Sequence, residues 1–442
     1  MSDRTVHRSW GRLPTKGSSR IVNLNWRHDE LPSDSLGQGG LLCHGNGRSY
    51  GDSCLNDEGT LLLTRGLDRI IDFDPATGLL ECESGLLLQE LIELMLPQGW
   101  FPPVVPGTQL ITIGGAVAND IHGKNHHLAS SFGSHIRSLE LVRSNGSRLQ
   151  CSPSEHAELF RATIGGLGLT GFISSVRLQL KSVSGGDIDQ EMIPFSNLAE
   201  FFTANEDSEK RFEHTVAWVD CAAPASSLGR GILICGNHAE GESTHKARGR
   251  SLISVPFTPP ISLVNGPSLR LFNELYRQKQ TMGSRRTRIH HQPFFFPLDS
   301  VRNWNRIYGP RGFYQYQMVI PPESSEAAIG EILHQIKLSG TGSFLAVLKR
   351  FGNQEAPGLL SFCRPGTTLA LDFPNRGERT TALLDRLDQI TLDAGGAVYC
   401  AKDARMSGPS FRTYYPQWQE LENLRDPAFS SNFWRRVTES PS

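Results

Sequence analysis

LLCHGNGRSYGD, residues 41 to 52, runs from an apolar strand into a loop where Gly45, Gly47 and Gly51 leave the backbone bare. Consecutive N–H groups in such a loop can form an anion nest, and the missing Cβ atoms let a pyrophosphate come close. Taken alone, the run reads equally well as a plain glycine turn. It is not a dinucleotide fingerprint of the strand-to-helix kind: no G-x-G-x-x-G opens a helix, and no acidic ribose ligand follows at the usual distance. A second glycine loop follows at Pro106-Gly107-Thr108 and Thr112-Ile113-Gly114-Gly115-Ala116, just ahead of Asn119-Asp120-Ile121-His122-Gly123-Lys124-Asn125. Two separated glycine loops can line one extended dinucleotide.

Around these loops the first 180 or so residues read as short strands joined by tight turns. Leu88, Leu91, Ile92 and Met95 recur at helical spacing, with Pro97 and Gly99 as stop signals. A second helix is expected from Ser152, a candidate cap followed by Pro153 and Glu155, to about Ile164. Ile136–Val142 and Arg148–Cys151 flank Asn145-Gly146, a hairpin signal of the primed-turn kind. Val176, Leu178 and Leu180 alternate with polar residues as a half-buried strand. A boundary is placed near Ser182–Gly186, giving a first part (1–185), a middle part (186–395) and a tail (396–442). Within the middle part, 323–338 is expected as a helix and 367–373 as a strand. Residues 240–297, rich in Gly, Pro, Ser and Arg, read as long, partly mobile loops.

The totals exclude several classes. With 44 Lys and Arg against 45 Asp and Glu, no global field marks a nucleic-acid partner. The eight cysteines show neither C-x-x-C nor zinc-finger spacing and read as reduced core thiols; no metal site is expected. The first fifteen residues carry Arg4, His7, Arg8 and Arg12 without an apolar h-region, and no apolar run approaches a membrane span. The expectation is a cytoplasmic protein, with at most a peripheral membrane contact.

In their order, GRSYGD (47–52), PGT (106–108), GGAVANDIHGKNHH (114–127) and GGLGLTG (165–171) resemble the FAD domain of the vanillyl-alcohol oxidase and p-cresol methylhydroxylase superfamily. FYQYQMVIP (313–321), the segment around Lys349, LDFP (371–374) and VYCAKDAR (398–405) resemble, within it, the oxidases of polyprenylphosphoryl ribose. The resemblance runs from about Trp10 to Arg436. It implies an α+β fold: a bipartite FAD-binding domain, completed by the tail, with an inserted antiparallel-sheet substrate domain. By carry-over, FAD contacts are expected at Cys43, His44, Gly45, Asn46, Gly47, Arg48, Ser49, Tyr50, Gly51, Asp52 and Ser53. Further contacts are expected at Gly107, Thr112, Ile113, Gly114, Gly115, His122, Gly123, Lys124, Asn125, Ile173, Tyr399 and Lys402.

The resemblance also implies the reaction: oxidation of a ribose 2′-hydroxyl to a ketone on a lipid-linked sugar, which a separate NAD(P)H-dependent reductase then returns with inverted configuration, towards an arabinofuranose donor. Tyr50 stands where many superfamily members carry a flavin-linked histidine, so FAD is expected to be non-covalent. Lys402 is expected to stabilise charge on the reduced flavin. His122 can accept a proton, donate a hydrogen bond, or be structural. Gln315, Gln317, Lys349, Lys124 and Trp218 are expected on the substrate, although Q-Y-Q alternation also fits a solvent face. Ala370 stands where well-known members have cysteine, which bears on pocket shape and thiol reactivity. For the lipid, Phe257, Phe294, Phe295 and Phe296 with Arg285, Arg286 and Arg288 are candidates, although 294–296 also reads as a buried strand and the arginines as a solvated loop. The rival functions are an alditol or aldonolactone oxidase using O₂, and a non-catalytic flavin-binding scaffold.

Overall fold

The computed structural model describes residues 7–18, 20–32, 39–241 and 253–439. Arg4 lies outside the described residues. Two larger sheets carry the first part of the chain. Arg20–Asn23, Thr60–Leu63 and Leu41–His44 form a parallel three-stranded sheet in that spatial order. Ile70–Asp74, Leu79–Glu83, Phe172–Gln179, Ile136–Val142 and Arg148–Cys151 form an antiparallel five-stranded one. The helix Leu88–Met95 buries the four apolar side chains its spacing marked, and a 3-10 turn, Leu96–Gln98, follows it and closes at Gly99 with φ +81°. Each such side chain contributes roughly 1.5–3 kcal/mol.

The third sheet has eight antiparallel strands, in the order Arg286–His290, Asp187–Phe195, Gly231–His238, His214–Val219, Val347–Phe351, Gly366–Pro374, Phe313–Ile320 and Ala397–Val398. Helices Leu198–Glu209, Ser325–Ser339 and Glu378–Asp393 pack on one face, burying Phe201, Ile329, Ile332, Leu384 and Leu387 against Val219, Leu348, Leu369 and Met318. Strand periodicity turns alternate residues to the other face. There Gln315, Gln317, Val347, Lys349 and Ala370 face a cavity. The tail joins this sheet through Ala397–Val398, then returns to the first glycine loop: Asn432 N donates to Leu55 O, and Arg436 pairs with Asp52 at 2.8 Å.

Four expectations need correction. The second helix spans Ala157–Thr163, not 152–164. Ser152 Oγ accepts from the backbone N of Glu155 at 3.0 Å and closes a separate turn, the local competition that serine side chains offer a helix. The 143–147 connection is not a primed turn, because Asn145 does not have positive φ; Gly146 does (+83°), and its N–H bonds Arg143 O. Most of the described part of 240–297 is ordered structure. Helix Gly266–Met282 is 17 residues long, capped by Asn265 Oδ1 and a reciprocal Ser268, so Gly266-Pro267-Ser268 is a helix start rather than a loop. Residues 242–252 of that stretch lie outside the described residues. Finally, Phe294 and Phe295 are buried in a short helix, His291–Phe295, and not in a strand. All eight cysteines are free, six of them buried. Among the described residues no helix is long and apolar enough to cross a membrane.

Candidate active site

A cavity of about 1200 Å³ lies between the glycine loops and the open face of the eight-stranded sheet. The loops touch because glycine lets them. A Cβ on Gly45 would sit 2.4 Å from Thr112 Oγ1, and one on Gly51 would sit 1.5 Å from the Asp403 carbonyl oxygen. Asn46 Nδ2 ties the loops together at Leu110 O (2.7 Å), and Thr112 caps helix Ile113–Ala118 by accepting from Gly115 N. Cys43, Gly45, Asn46, Gly47, Arg48, Ser49, Tyr50, Ser53, Gly107, Thr112, Gly114, Gly115, Ile173 and Tyr399 all line the cavity. His44, Gly51, Asp52, Ile113 and Asn125 do not. His44 Nδ1 lies 3.1 Å from Cys54 O, Asp52 is taken by Arg436, Ile113 is core, and Asn125 Nδ2 donates to Pro103 O. They shape the loops from behind.

This wall fits a dinucleotide. A Cβ on Gly107 or Gly168 would meet nothing within 4 Å, so backbone there borders open space. Arg48 Nε and Ser53 Oγ are buried without a partner, and orphaned donors of this kind call for an acceptor.

The opposite wall is rich in half-buried amines. Lys402 Nζ lies 4.0 Å above the Tyr50 ring, and Tyr50 N bonds Ala401 O, so the tail and the first loop share one contact. Lys349 Nζ donates to Gly123 O at 3.4 Å; Lys124 Nζ donates to Phe294 O and lies 4.4 Å from that ring's centroid. Burial lowers Lys402 and Lys124 to about 7 and Lys349 to about 8. His122 Nε2 accepts from Gln317 Nε2 at 2.9 Å, and the other amide hydrogen of Gln317 goes to Thr368 Oγ1. Burial holds His122 well below the usual histidine range, so it is neutral; with Nε2 accepting, its one hydrogen is on the partnerless Nδ1. Trp218 also lines the cavity, its Nε1 donating to Phe344 O.

Residues 39–152 match the FAD binding domain family. Over 421 residues the chain is 35% identical to the decaprenylphosphoryl-β-D-ribose oxidase of Mycolicibacterium smegmatis, covering 90% of this chain and 89% of that one. The chain belongs to this oxidase family. It is an FAD-dependent oxidoreductase with mixed helices and antiparallel sheets. Other relatives match over less: a putative D-arabinono-1,4-lactone oxidase of Neurospora crassa is 32% identical over 25% of this chain and 19% of its own. Cytokinin dehydrogenase 3 of Oryza sativa subsp. japonica is 29% identical over 34% of this chain and 29% of its own.

One buried carboxylate and one half-buried one escaped the sequence reading. Asp372 receives Gln315 Nε2 at 2.7 Å, and burial raises it to about 7, with Lys402 and the Gln315 hydrogen bond opposing that rise. Gln315, expected on the substrate, gives that hydrogen to Asp372 although it borders the cavity. Asp299 accepts from Thr108 Oγ1 (2.7 Å) and Gln109 N, and its charge faces Arg48. The signal for Asp372 was available: it is an acid inside the apolar run Leu369–Phe373. Of the lipid candidates, Phe294 and Phe295 line the cavity, Phe296 is core, and Phe257 is exposed. Arg286 and Arg288 are engaged by Glu191 and Asp189 across an edge strand, away from the cavity lining.

Proposed function

We propose that this chain oxidises the 2′-hydroxyl of a polyprenylphosphoryl-β-D-ribose to the 2′-ketone. The observation that carries this reading is one cavity that combines three half-buried amines with an aromatic arm of Phe272, Tyr276, Phe294, Phe295 and Phe344. Amines partly withdrawn from water hold their charge best when an anion joins them, and a phosphate with an apolar tail answers both features. The full-length relative acts, by its name, on decaprenylphosphoryl-β-D-ribose, which supports the same substrate class here.

Bound FAD supplies the acceptor for the hydride leaving C2′. Arg48, Ser53 and the two glycine loops hold the cofactor, without a covalent link at Tyr50. Lys349 and Lys124 hold the phosphoribose, with Trp218 and the phenylalanines along the prenyl chain. His122 Nδ1–H donates to a sugar oxygen and Gln317 fixes the ring that presents it. Lys402, poised near neutrality, takes the 2′-hydroxyl proton as an amine; it is then an ammonium where negative charge arrives with the hydride. The fold reading is a bipartite FAD-binding domain (1–185 with 396–442) around an inserted substrate domain (186–395). The keto product requires a reductase, a separate NAD(P)H-dependent partner, to complete a 2′-epimerisation towards an arabinofuranose donor.

The test mixes oxidised enzyme anaerobically with farnesylphosphoryl ribose, ribose 5-phosphate or xylitol and follows loss of flavin absorbance. Bleaching is expected only with the prenylated sugar at a useful rate, because remote binding energy orients the C2′–H bond. Equal or faster bleaching by xylitol overturns the assignment in favour of an alditol oxidase. Acid precipitation of the same protein should leave the yellow colour in the supernatant; colour in the pellet contradicts non-covalent FAD.

A further inference from the structure

Among the described residues, thirteen large hydrophobic side chains are exposed, and eight of them fall between Ile253 and Met282. This concentration is not spread over the molecule, so it asks for a cause. Helix Gly266–Met282 turns Leu269 and Asn273 inward, with Asn273 Nδ2 on Asp220 at 2.7 Å. At about 100° per residue, Leu271, Leu275 and Met282 fall within about 40° of one another on the opposite side. They are 64%, 56% and 86% exposed. Arg270 and Lys279 stand on the two flanks of that line, both exposed.

The charge of the segment departs from that of the chain. Residues 253–286 hold five Lys and Arg against one acid, Glu274, while the whole chain has a net charge of −1. Glu274 is already engaged by Arg230 and Arg277. The same helix also borders the cavity: Phe272, Tyr276 and Lys279 line it, and the Phe272 ring packs on Phe344 at 4.9 Å. One helix therefore presents an apolar line flanked by cations to the outside and aromatic rings to the cavity mouth.

We propose that helix Gly266–Met282, with the exposed Phe257 and Ile261 before it, docks on the surface of a bilayer bearing anionic headgroups. This rests on the reading of a lipid-linked substrate and deepens it. An interfacial helix with cations flanking its apolar line enters the headgroup region with that line down. Docked in this way, the cavity mouth meets the plane in which the prenyl chain is anchored, so the phosphoribose enters while the chain end stays in lipid.

The experiment is co-sedimentation of FAD-loaded full-length protein with vesicles of phosphatidylcholine alone or mixed with phosphatidylglycerol. Wild type should partition onto the anionic vesicles and be released by salt. Leu271→Glu/Leu275→Glu should lower the partition coefficient by about tenfold or more. Met282→Glu, at the far end of the line, should lower it by a smaller factor. Flavin content and bleaching by dissolved farnesylphosphoryl ribose should be unchanged in both. Three results overturn the proposal: no anionic-vesicle binding by wild type, equal binding by the variants, or a wild-type dimer that the variants dissociate, which makes the face a contact between copies. Failure of the bleaching arm with vesicle binding intact removes the substrate reading and leaves the membrane surface standing.

Discussion

On the loop side of the cavity Gly45 and Gly51 meet neighbouring atoms at distances that exclude any side chain, whereas on the sheet side Lys349, Gln317 and Lys402 reach in as full-length polar groups. The first wall works by backbone shape and leaves donors such as Arg48 Nε unpartnered. The second works by half-buried amines whose protonation burial and neighbours set. The two walls should therefore fail differently: damage to the loops should cost folding and cofactor, and damage to the sheet side should cost rate with the cofactor in place.

The largest effect expected is on the second wall. Lys402→Ala should slow flavin reduction by about 10²–10³-fold, the usual size of one lost charge-stabilising contact in a buried site. FAD content should stay full, as measured by absorbance in the same sample. Full occupancy with an unchanged reduction rate removes Lys402 from the mechanism and with it the division of labour between the walls.

Gly51→Ala probes the first wall. Its Cβ would have to displace the Asp403 carbonyl, so overpacking should cost about 1–3 kcal/mol and lower the melting temperature of the FAD-free protein. Gly107→Ala is the matched control. There a Cβ meets no protein atom within 4 Å, so the FAD-free melting temperature should hold while FAD retention falls. A drop in melting temperature of the same size for both variants erases the distinction between glycines that fit the protein and glycines that fit the cofactor.

This contrast also explains what was legible beforehand. The loop wall is contiguous: 45–53 and 107–115 carry their spacing in the sequence, and the strand Phe172–Gln179 and helix Leu88–Met95 follow from short-range periodicity. The sheet wall is assembled by register. Gln317 stands opposite Ala370 and Gln315 opposite Asp372, pairings between strands more than fifty residues apart that no local pattern specifies. Asp372 was thus readable only as an acid in an apolar run, and the Gln315 bond to it not at all. Helix Gly266–Met282 was obscured for another reason. Its Gly-Pro-Ser opening and its outward Leu271 and Leu275 imitate a loop, since only two of its residues are buried.

Asp372→Asn sharpens the electrostatic half of the comparison. The carboxylate faces Lys402, Tyr308 and Tyr50 and accepts from Gln315; Lys402 in turn faces Asp372, Lys349 and the Tyr50 ring. Negative charge on Asp372 favours the ammonium and raises Lys402, against the burial that lowers it. If neutral Lys402 accepts the hydroxyl proton, the reduction rate falls as pH drops through its pKa. Removing the carboxylate should move that acid limb to lower pH by about one unit. A limb that stays in place separates Asp372 from the titrating group.

The smallest effect is expected at Ala370, whose side chain borders the cavity between Gln317 and Val347 in the sheet register. Ala370→Cys adds one sulfur on the cavity side and touches neither the amines nor the glycine loops. It removes no hydrogen bond and leaves Lys402 and Asp372 with their partners, so the flavin-reduction rate should stay within about twofold of wild type. What should change is chemistry at the wall. A thiol there is reached through the cavity, whereas six of the eight native cysteines are buried and burial pushes Cys221, Cys235 and Cys400 up to about 12. A cavity-sized maleimide should therefore inactivate the variant and spare the parent, with substrate protecting. Inactivation of both at one rate points to Cys43 or Cys54, the two partly exposed thiols beside the first glycine loop, and places the reactive surface on the other wall. A large loss of turnover in the variant shows instead that the space beside Gln317 is filled by the sugar, and that the sheet wall recognises its substrate by shape as well as by charge.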